Sequence, residues 1–205
     1  MKITIIGSGH VGSALAEGFI RAGHDVSFGV RKPEEVKNEL TGELKKARVN
    51  DIRSSAEGAD IIIITTPPEA VTGIIPFIRE QEDAVWVDAT NSVRTKPEGY
   101  ETAFAAIKGI TGHRKLVKCF NSTGFENMKN PVYHGQGIDM FMAGDDQQSK
   151  EIISRLAREL GFANCYDFGG DDKVKLLEQF ALSWINLAIM QGMGRGIAFK
   201  LVHRG

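Results

Sequence analysis

Three glycines near the start of the chain carry the strongest chemical signal. Gly7-Ser-Gly-His-Val-Gly12 has the spacing G-x-G-x-x-G. In such a bend the first glycine permits a tight turn, the second lets a pyrophosphate approach the backbone, and the third allows close helix–sheet packing. The spacing alone is weak, but its surroundings suit it. A β-branched run, Lys2 to Ile6, precedes the bend, and an apolar helical face, Val11, Ala14, Leu15, Gly18 and Phe19, follows. Gly23 closes that helix and a second strand, Asp25 to Phe28, comes next. The helix N-terminus then offers free N–H groups and its positive dipole end to phosphates. Gly7, Ser8, Gly9, His10, Val11 and Gly12 are therefore expected to hold the diphosphate of a dinucleotide. His10 is expected to make a backbone or phosphate contact there rather than transfer protons.

The second strand selects the dinucleotide. An NAD site carries an acid about 20 residues beyond the bend, bonded to the ribose 2′-hydroxyl. Here the strand ends in Phe28-Gly-Val-Arg-Lys-Pro33, with Arg31 and Lys32 where that acid would stand. A 2′-phosphate would be repelled by a carboxylate and bound by a guanidinium fork, so the expected cofactor is NADP(H). Two further strand ends reach the same crevice, where ligands of open α/β sheets bind. Thr65, Thr66 and Pro67 end one strand, and Asp88-Ala-Thr-Asn91 ends the next. Thr65, Thr66, Pro67 and Asn91 are expected to border the ribose and nicotinamide. Asn121-Ser-Thr-Gly124 follows a later strand, with Asn121 assigned to the cofactor and Ser122, Thr123 and Gly124 to the second substrate.

Around these residues, strands and helices alternate. The pattern predicts a weak strand near Val49, strands at 59–65, 84–88 and 115–120, and helices at 68–78 and 98–107. Short strands at 139–143 and 165–168 flank a helix at 147–161. This βαβ rhythm implies a Rossmann-type, doubly wound, mostly parallel α/β sheet. From Asp172 no strand follows, and Val174, Leu177, Phe180, Ala181, Trp184, Ile185, Ala188 and Ile189 line a helical face. The expected division is a dinucleotide-binding domain over 1–168 and a short all-helical C-terminal extension over 169–205 that caps the crevice.

Composition excludes several classes. The 205 residues hold 25 Lys plus Arg and 26 Asp plus Glu, a formal net charge of -1, without the basic excess of a nucleic-acid binder. No apolar run approaches the roughly 20 residues of a membrane helix, and no signal-peptide core follows the N-terminus. Two cysteines, Cys119 and Cys165, are too few for a disulfide framework or four-cysteine zinc site. The five histidines lack metal-site spacing, and there is neither a nucleophile elbow nor a P-loop. The reading is a cytoplasmic protein without nucleic-acid or membrane partners, with no residue assigned as catalytic acid, base or metal ligand.

With those residues assembled, the chain resembles the coenzyme F420-dependent NADP oxidoreductase family along nearly its whole length. The resemblance rests on 5–16, Val-Asp-Ala-Thr-Asn (87–91), Lys-Cys-Phe-Asn-Ser-Thr-Gly (118–124), Ala-Gly-Asp-Asp (143–146) and Met-Gly-Arg-Gly-Ile-Ala-Phe-Lys-Leu (193–201). It implies NADP(H) in the crevice and a deazaflavin against the nicotinamide, with Ser8, His10, Arg31 and 121–124 bordering the ligands. Two positions depart from it: Val30 stands where members often have serine, and Arg195-Gly196 where the tail turn commonly bears proline. The expected reaction is hydride transfer between NADPH and a redox coenzyme such as F420. Alternatives are a flavin, ferric ion, or small imine or carbonyl acceptor, or a non-enzymatic NADP(H) sensor. Trp184 and Phe199 would shape the acceptor site. The apolar tail stripe would either cover the sheet or dock on a second copy as a homodimer.

Overall fold

Six parallel strands form the central sheet of the computed structural model, which describes residues 1–204. They come from a repeated strand–helix rhythm: β1 (Lys2–Ile6), α1 (His10–Arg21), β2 (Asp25–Gly29), α2 (Pro33–Glu39), β3 (Arg48–Asn50), α3 (Ile52–Ala56), β4 (Ile61–Ile64), α4 (Val71–Ile78), β5 (Val85–Asp88), α5 (Ala103–Thr111) and β6 (Leu116–Lys118). Their spatial order is β3-β2-β1-β4-β5-β6, the order in which two βαβαβ halves diverge from β1 and β4. β4 is buried on both faces, as its unbroken isoleucine run requires. Ile61 and Ile63 enter the core under α1, and Ile62 and Ile64 the core under α4 and α5.

Register decides where function can lie. Ile6 pairs with Gly29 and with Ile64, Ile64 with Asp88, and Asp88 with Lys118. The bend after β1 and the segments beginning at Val30, Thr65, Ala89 and Cys119 therefore leave the sheet along one edge.

The second half departs from strict alternation. α6 (Phe125–Lys129) leads to a small hairpin, β7 (Val132–Tyr133) and β8 (Gln136–Gly137). β9 (Asp139–Met142) and β10 (Asn164–Asp167) flank α7 (Gln147–Glu159) and pair only with each other, as a parallel ribbon. One antiparallel bridge, Lys118 to Ala143, ties that ribbon to the main sheet.

Among the boundaries that differ from the sequence expectation, three bear on the site. The helix expected over 98–107 runs from Ala103 to Thr111, because Thr102 accepts the Ala105 N–H and Gly112 closes the far end at φ 65°. The strand expected to reach Phe120 stops at Lys118, and Phe120 turns the chain at φ 61°. α8 (Val174–Ile185) continues as a wider turn through Met190, after which the tail is not helical. Residue 205, the last of the expected tail, lies outside the described residues. The non-helical stretch is still held. The Ile197 carbonyl accepts from Trp184 Nε1 at 2.7 Å and Asn127 Nδ2 at 2.7 Å, and Leu201 N–H donates to Asp139 Oδ2 at 2.7 Å.

Candidate functional site

The bend between β1 and α1 fits a diphosphate on the geometry of its glycines. Gly7 adopts φ +107°, a conformation that side chains rarely take. A Cβ on Gly12 would lie 2.1 Å from the Gly7 carbonyl oxygen, so Gly12 serves the fold. Gly9 is different: a Cβ there would meet nothing within 4 Å. Nothing in the protein requires glycine at that position, while a ligand backed against the loop would. Gly9 is also the N-cap of α1 and supplies no side-chain bond to the first turn, which leaves helix N–H groups for an anion. Ser8 lends its carbonyl to Ser13 Oγ at 3.0 Å. His10 lies exposed, stacked on Phe125 with centroids 4.6 Å apart, and Val11 packs against the core.

Beside the bend, Arg31 is exposed and has no ionic partner among the described residues. Lys32 is instead tied to Glu35 at 2.7 Å. Thr65 donates to the Ile6 and Gly7 carbonyls at 3.0 and 3.1 Å, so its hydroxyl fixes the bend. Thr66 Oγ1 is buried without a partner among the described residues, and Pro67 is exposed beside it.

Asn91 and Asn121 meet across the crevice. Asn91 Nδ2 donates to the Asn121 carbonyl at 3.1 Å, and Asn121 Nδ2 donates to Asn91 Oδ1 at 3.2 Å. Asn121 Oδ1 is buried and accepts nothing from the described residues, an orphan acceptor that calls for an external donor.

Three of the residues expected at the second substrate lie in packed surroundings. Ser122 is 2% exposed and its Oγ turns inward toward the Met140 sulfur. Thr123 Oγ1 accepts from Asn127 Nδ2 at 2.7 Å, inside the turn that starts α6. Phe199 packs on Phe180 at 4.5 Å, in an aromatic group with Phe141 and Phe168, and anchors the tail. Gly124, the fourth of that set, lies against α8, because a Cβ there would meet the Trp184 ring at 2.7 Å.

Other features had little sequence signal. A cleft of about 400 Å³ adjoins Asn91, walled by Trp184, Ile185, Ile189 and Met190 and rimmed by Arg94 and Arg195, with no acid in its lining. Arg195 lies over the Phe125 and Trp184 rings at 5.1 and 5.7 Å and pairs with Glu126. Burial works to raise the Glu126 carboxyl, but Arg195 outweighs it and holds the group below its ordinary range. Deeper, Lys118 Nζ bonds Asp88 Oδ2 at 2.9 Å, Glu178 Oε1 at 2.7 Å and the Thr90 carbonyl at 2.6 Å. Burial alone would lower that ammonium; the two carboxylates prevail and raise it above the usual lysine value. The sequence traces of this cluster are Glu178, an acid on the apolar stripe of the tail helix, and Lys118, a charge inside the apolar run 116–120. Cys119 is a core thiol, pushed well up by burial and by its neighbour Cys165.

Comparison with known proteins bears on the fold and on the first part of the chain. Residues 2–92 match the profile of the family described as NADP oxidoreductase coenzyme F420-dependent. The F420-dependent NADP reductase of Methanocaldococcus jannaschii is 23% identical over 221 residues, spanning 96% of this chain and 97% of its own. A candidate F420-dependent NADP reductase from Arthrobacter sp. FB24 superposes with a TM-score of 0.87 at 21% identity, covering 99% of this chain and all of its own. The imine reductase of Streptomyces aurantiacus shares the fold at TM-score 0.66 and 16% identity, but this chain spans only 64% of it. The family match covers β1 to β5 and the loop through Ser92, the part that holds the glycine bend, Arg31 and Asn91.

Proposed function

We propose that the chain is an NADP(H)-dependent oxidoreductase that exchanges hydride with a planar redox coenzyme of the deazaflavin class. The observation that carries this reading is the open cradle at Gly9 beside a free Arg31, with no acid at the end of β2. The backbone of Gly7 to Gly12 would hold the diphosphate, Arg31 the 2′-phosphate, and the Asn91–Asn121 pair the nicotinamide, with Asn121 Oδ1 accepting from its carboxamide. NADP(H), when bound, supplies or takes the hydride at its nicotinamide ring. The chain's own part is orientation and dryness. Trp184, Ile185, Ile189 and Met190 offer an apolar wall against which a flat ring excludes water, and Arg94 and Arg195 suit an acidic substituent. No side chain need act as acid or base in such a transfer.

The relatives' names, F420-dependent NADP reductase, support the acceptor class. The division into a nucleotide-binding part through about 168 and a tail that caps its crevice belongs to the same reading. So does a cytoplasmic setting, with both cysteines as free thiols. Exposed apolar side chains on the tail, Leu176, Met190 and Met193 at 56%, 62% and 60%, favour pairing with a second copy.

The test is NADPH oxidation measured in parallel with coenzyme F420, FMN and a ferric chelate. Rapid reduction of F420 alone is expected. Turnover only with FMN or iron would contradict the acceptor assignment, and binding of NADPH without turnover of any acceptor would make the protein a sensor.

A further inference from the structure

Asp88, Lys118 and Glu178 meet where β5 and β6 end, and their hydrogen bonds fix their charges. The Lys118 ammonium spends all three N–H groups, on Asp88, Glu178 and the Thr90 carbonyl. The remaining carboxylate oxygens accept from backbone: Asp88 Oδ1 from Thr90 N–H at 2.9 Å, and Glu178 Oε2 from Ser92 N–H at 3.1 Å. Every one of the four oxygens faces an N–H donor. A carboxylic proton would have no acceptor to point at, so both acids are ionised. Two carboxylates against one ammonium leave a net negative charge in a site where Asp88 and Lys118 are 0% exposed and Glu178 is 5% exposed.

A buried excess charge is costly, and stability alone would be served as well by a neutral pair or apolar residues. This excess sits under a particular loop. The cluster grips Thr90 by both its N–H and its carbonyl and Ser92 by its N–H, and between them Asn91 reaches across to Asn121. Glu178 comes from the tail helix, so the tail takes part in holding that loop.

We propose that Asp88, Lys118 and Glu178 are positioning residues that set Asn91 against Asn121, and that their net negative charge favours the oxidised, cationic nicotinamide over the neutral reduced ring. In such a field NADPH is the better hydride donor, and the site is biased toward reducing its acceptor. The inference rests on the proposed placement of the nicotinamide at Asn91 and Asn121.

The test is calorimetric titration of NADP+, NADPH and 2′-phospho-ADP-ribose, which lacks the nicotinamide, into the native chain and into Glu178→Gln. Asp88→Asn is the second neutralisation. In either variant the preference for NADP+ over NADPH is expected to fall about three- to tenfold, with 2′-phospho-ADP-ribose unchanged. A purely structural role would weaken both coenzymes alike, and an unchanged ratio overturns the proposal. Should neither variant fold, the native chain decides: NADP+ bound more tightly than NADPH supports it, and the reverse order overturns it. A native chain that binds none of the three removes the NADP(H) reading and this inference together, whereas native binding with an unmoved ratio removes the inference alone.

Discussion

Gly9 and Gly12 stand in one bend and lack side chains for opposite reasons. At Gly12 the obstacle is the protein itself, a carbonyl oxygen 2.1 Å from the missing Cβ; at Gly9 the space is open. Gly9→Ala should therefore leave the melting temperature of the free chain within about 2 °C of native while NADPH affinity drops by about tenfold or more. Gly12→Ala should lower both, and calorimetry with and without NADPH separates the two. Arg31 makes a complementary prediction. As an unpaired guanidinium it is expected to serve only a 2′-phosphate, so Arg31→Ala should weaken NADPH by about tenfold or more and leave NADH nearly unchanged in the same titration. Equal losses would show that the end of β2 has been misassigned. Whereas the role expected of Arg31 rests on that titration, the glycine bend was legible in the sequence because its geometry is local. The inward turn of Ser122 and Thr123 was not, since it follows from the positive φ of Phe120 and from α6, a helix of 5 residues, too short to show a period.

Between elements, the two-residue strands of the β7–β8 hairpin were too short to show a pattern, whereas the strands of the main sheet were readable from their apolar runs and the helices they alternate with. Contacts between distant segments were not. Lys118 and Glu178 are 60 residues apart, and only their meeting in the core shows that the acid on the tail stripe is a partner rather than a solvated exception. Lys118→Met strands two buried carboxylates and is expected to cost about 3–5 kcal/mol, measurable by urea unfolding. His113 offers a milder probe. It stacks on Trp86 and its Nε2 bonds the Ala84 carbonyl at 3.1 Å. Burial, partly countered by that carbonyl, holds its pKa below the ordinary 6.5. The unfolded chain thus takes up the proton first as pH falls, so stability should be full above pH 6.5 and decline below it toward the depressed folded value. In His113→Gln that part of the pH dependence should vanish; an unchanged acid limb would place its origin elsewhere.

Across the whole molecule, the tail joins the two halves of the account. α8 supplies Glu178 to the core and Trp184 to the cleft wall, and the stretch after Met190 returns to bind Asn127 and Asp139 through Ile197 and Leu201. Sequence periodicity found the helix but not this return, which is held by side chains and backbone rather than by a repeating pattern. The exposed Leu176, Met190 and Met193 lead to the expectation of a dimer in light scattering at micromolar concentration, and a monomer there would contradict that pairing. Everything nonetheless depends on a 2′-phosphorylated dinucleotide occupying the first bend. The measurement that tests this most directly is titration of NADPH and NADH, side by side, into the unmodified protein. One NADPH per chain is expected, with NADH about tenfold weaker or worse; equal affinity for the two, or no binding of either, would contradict the account.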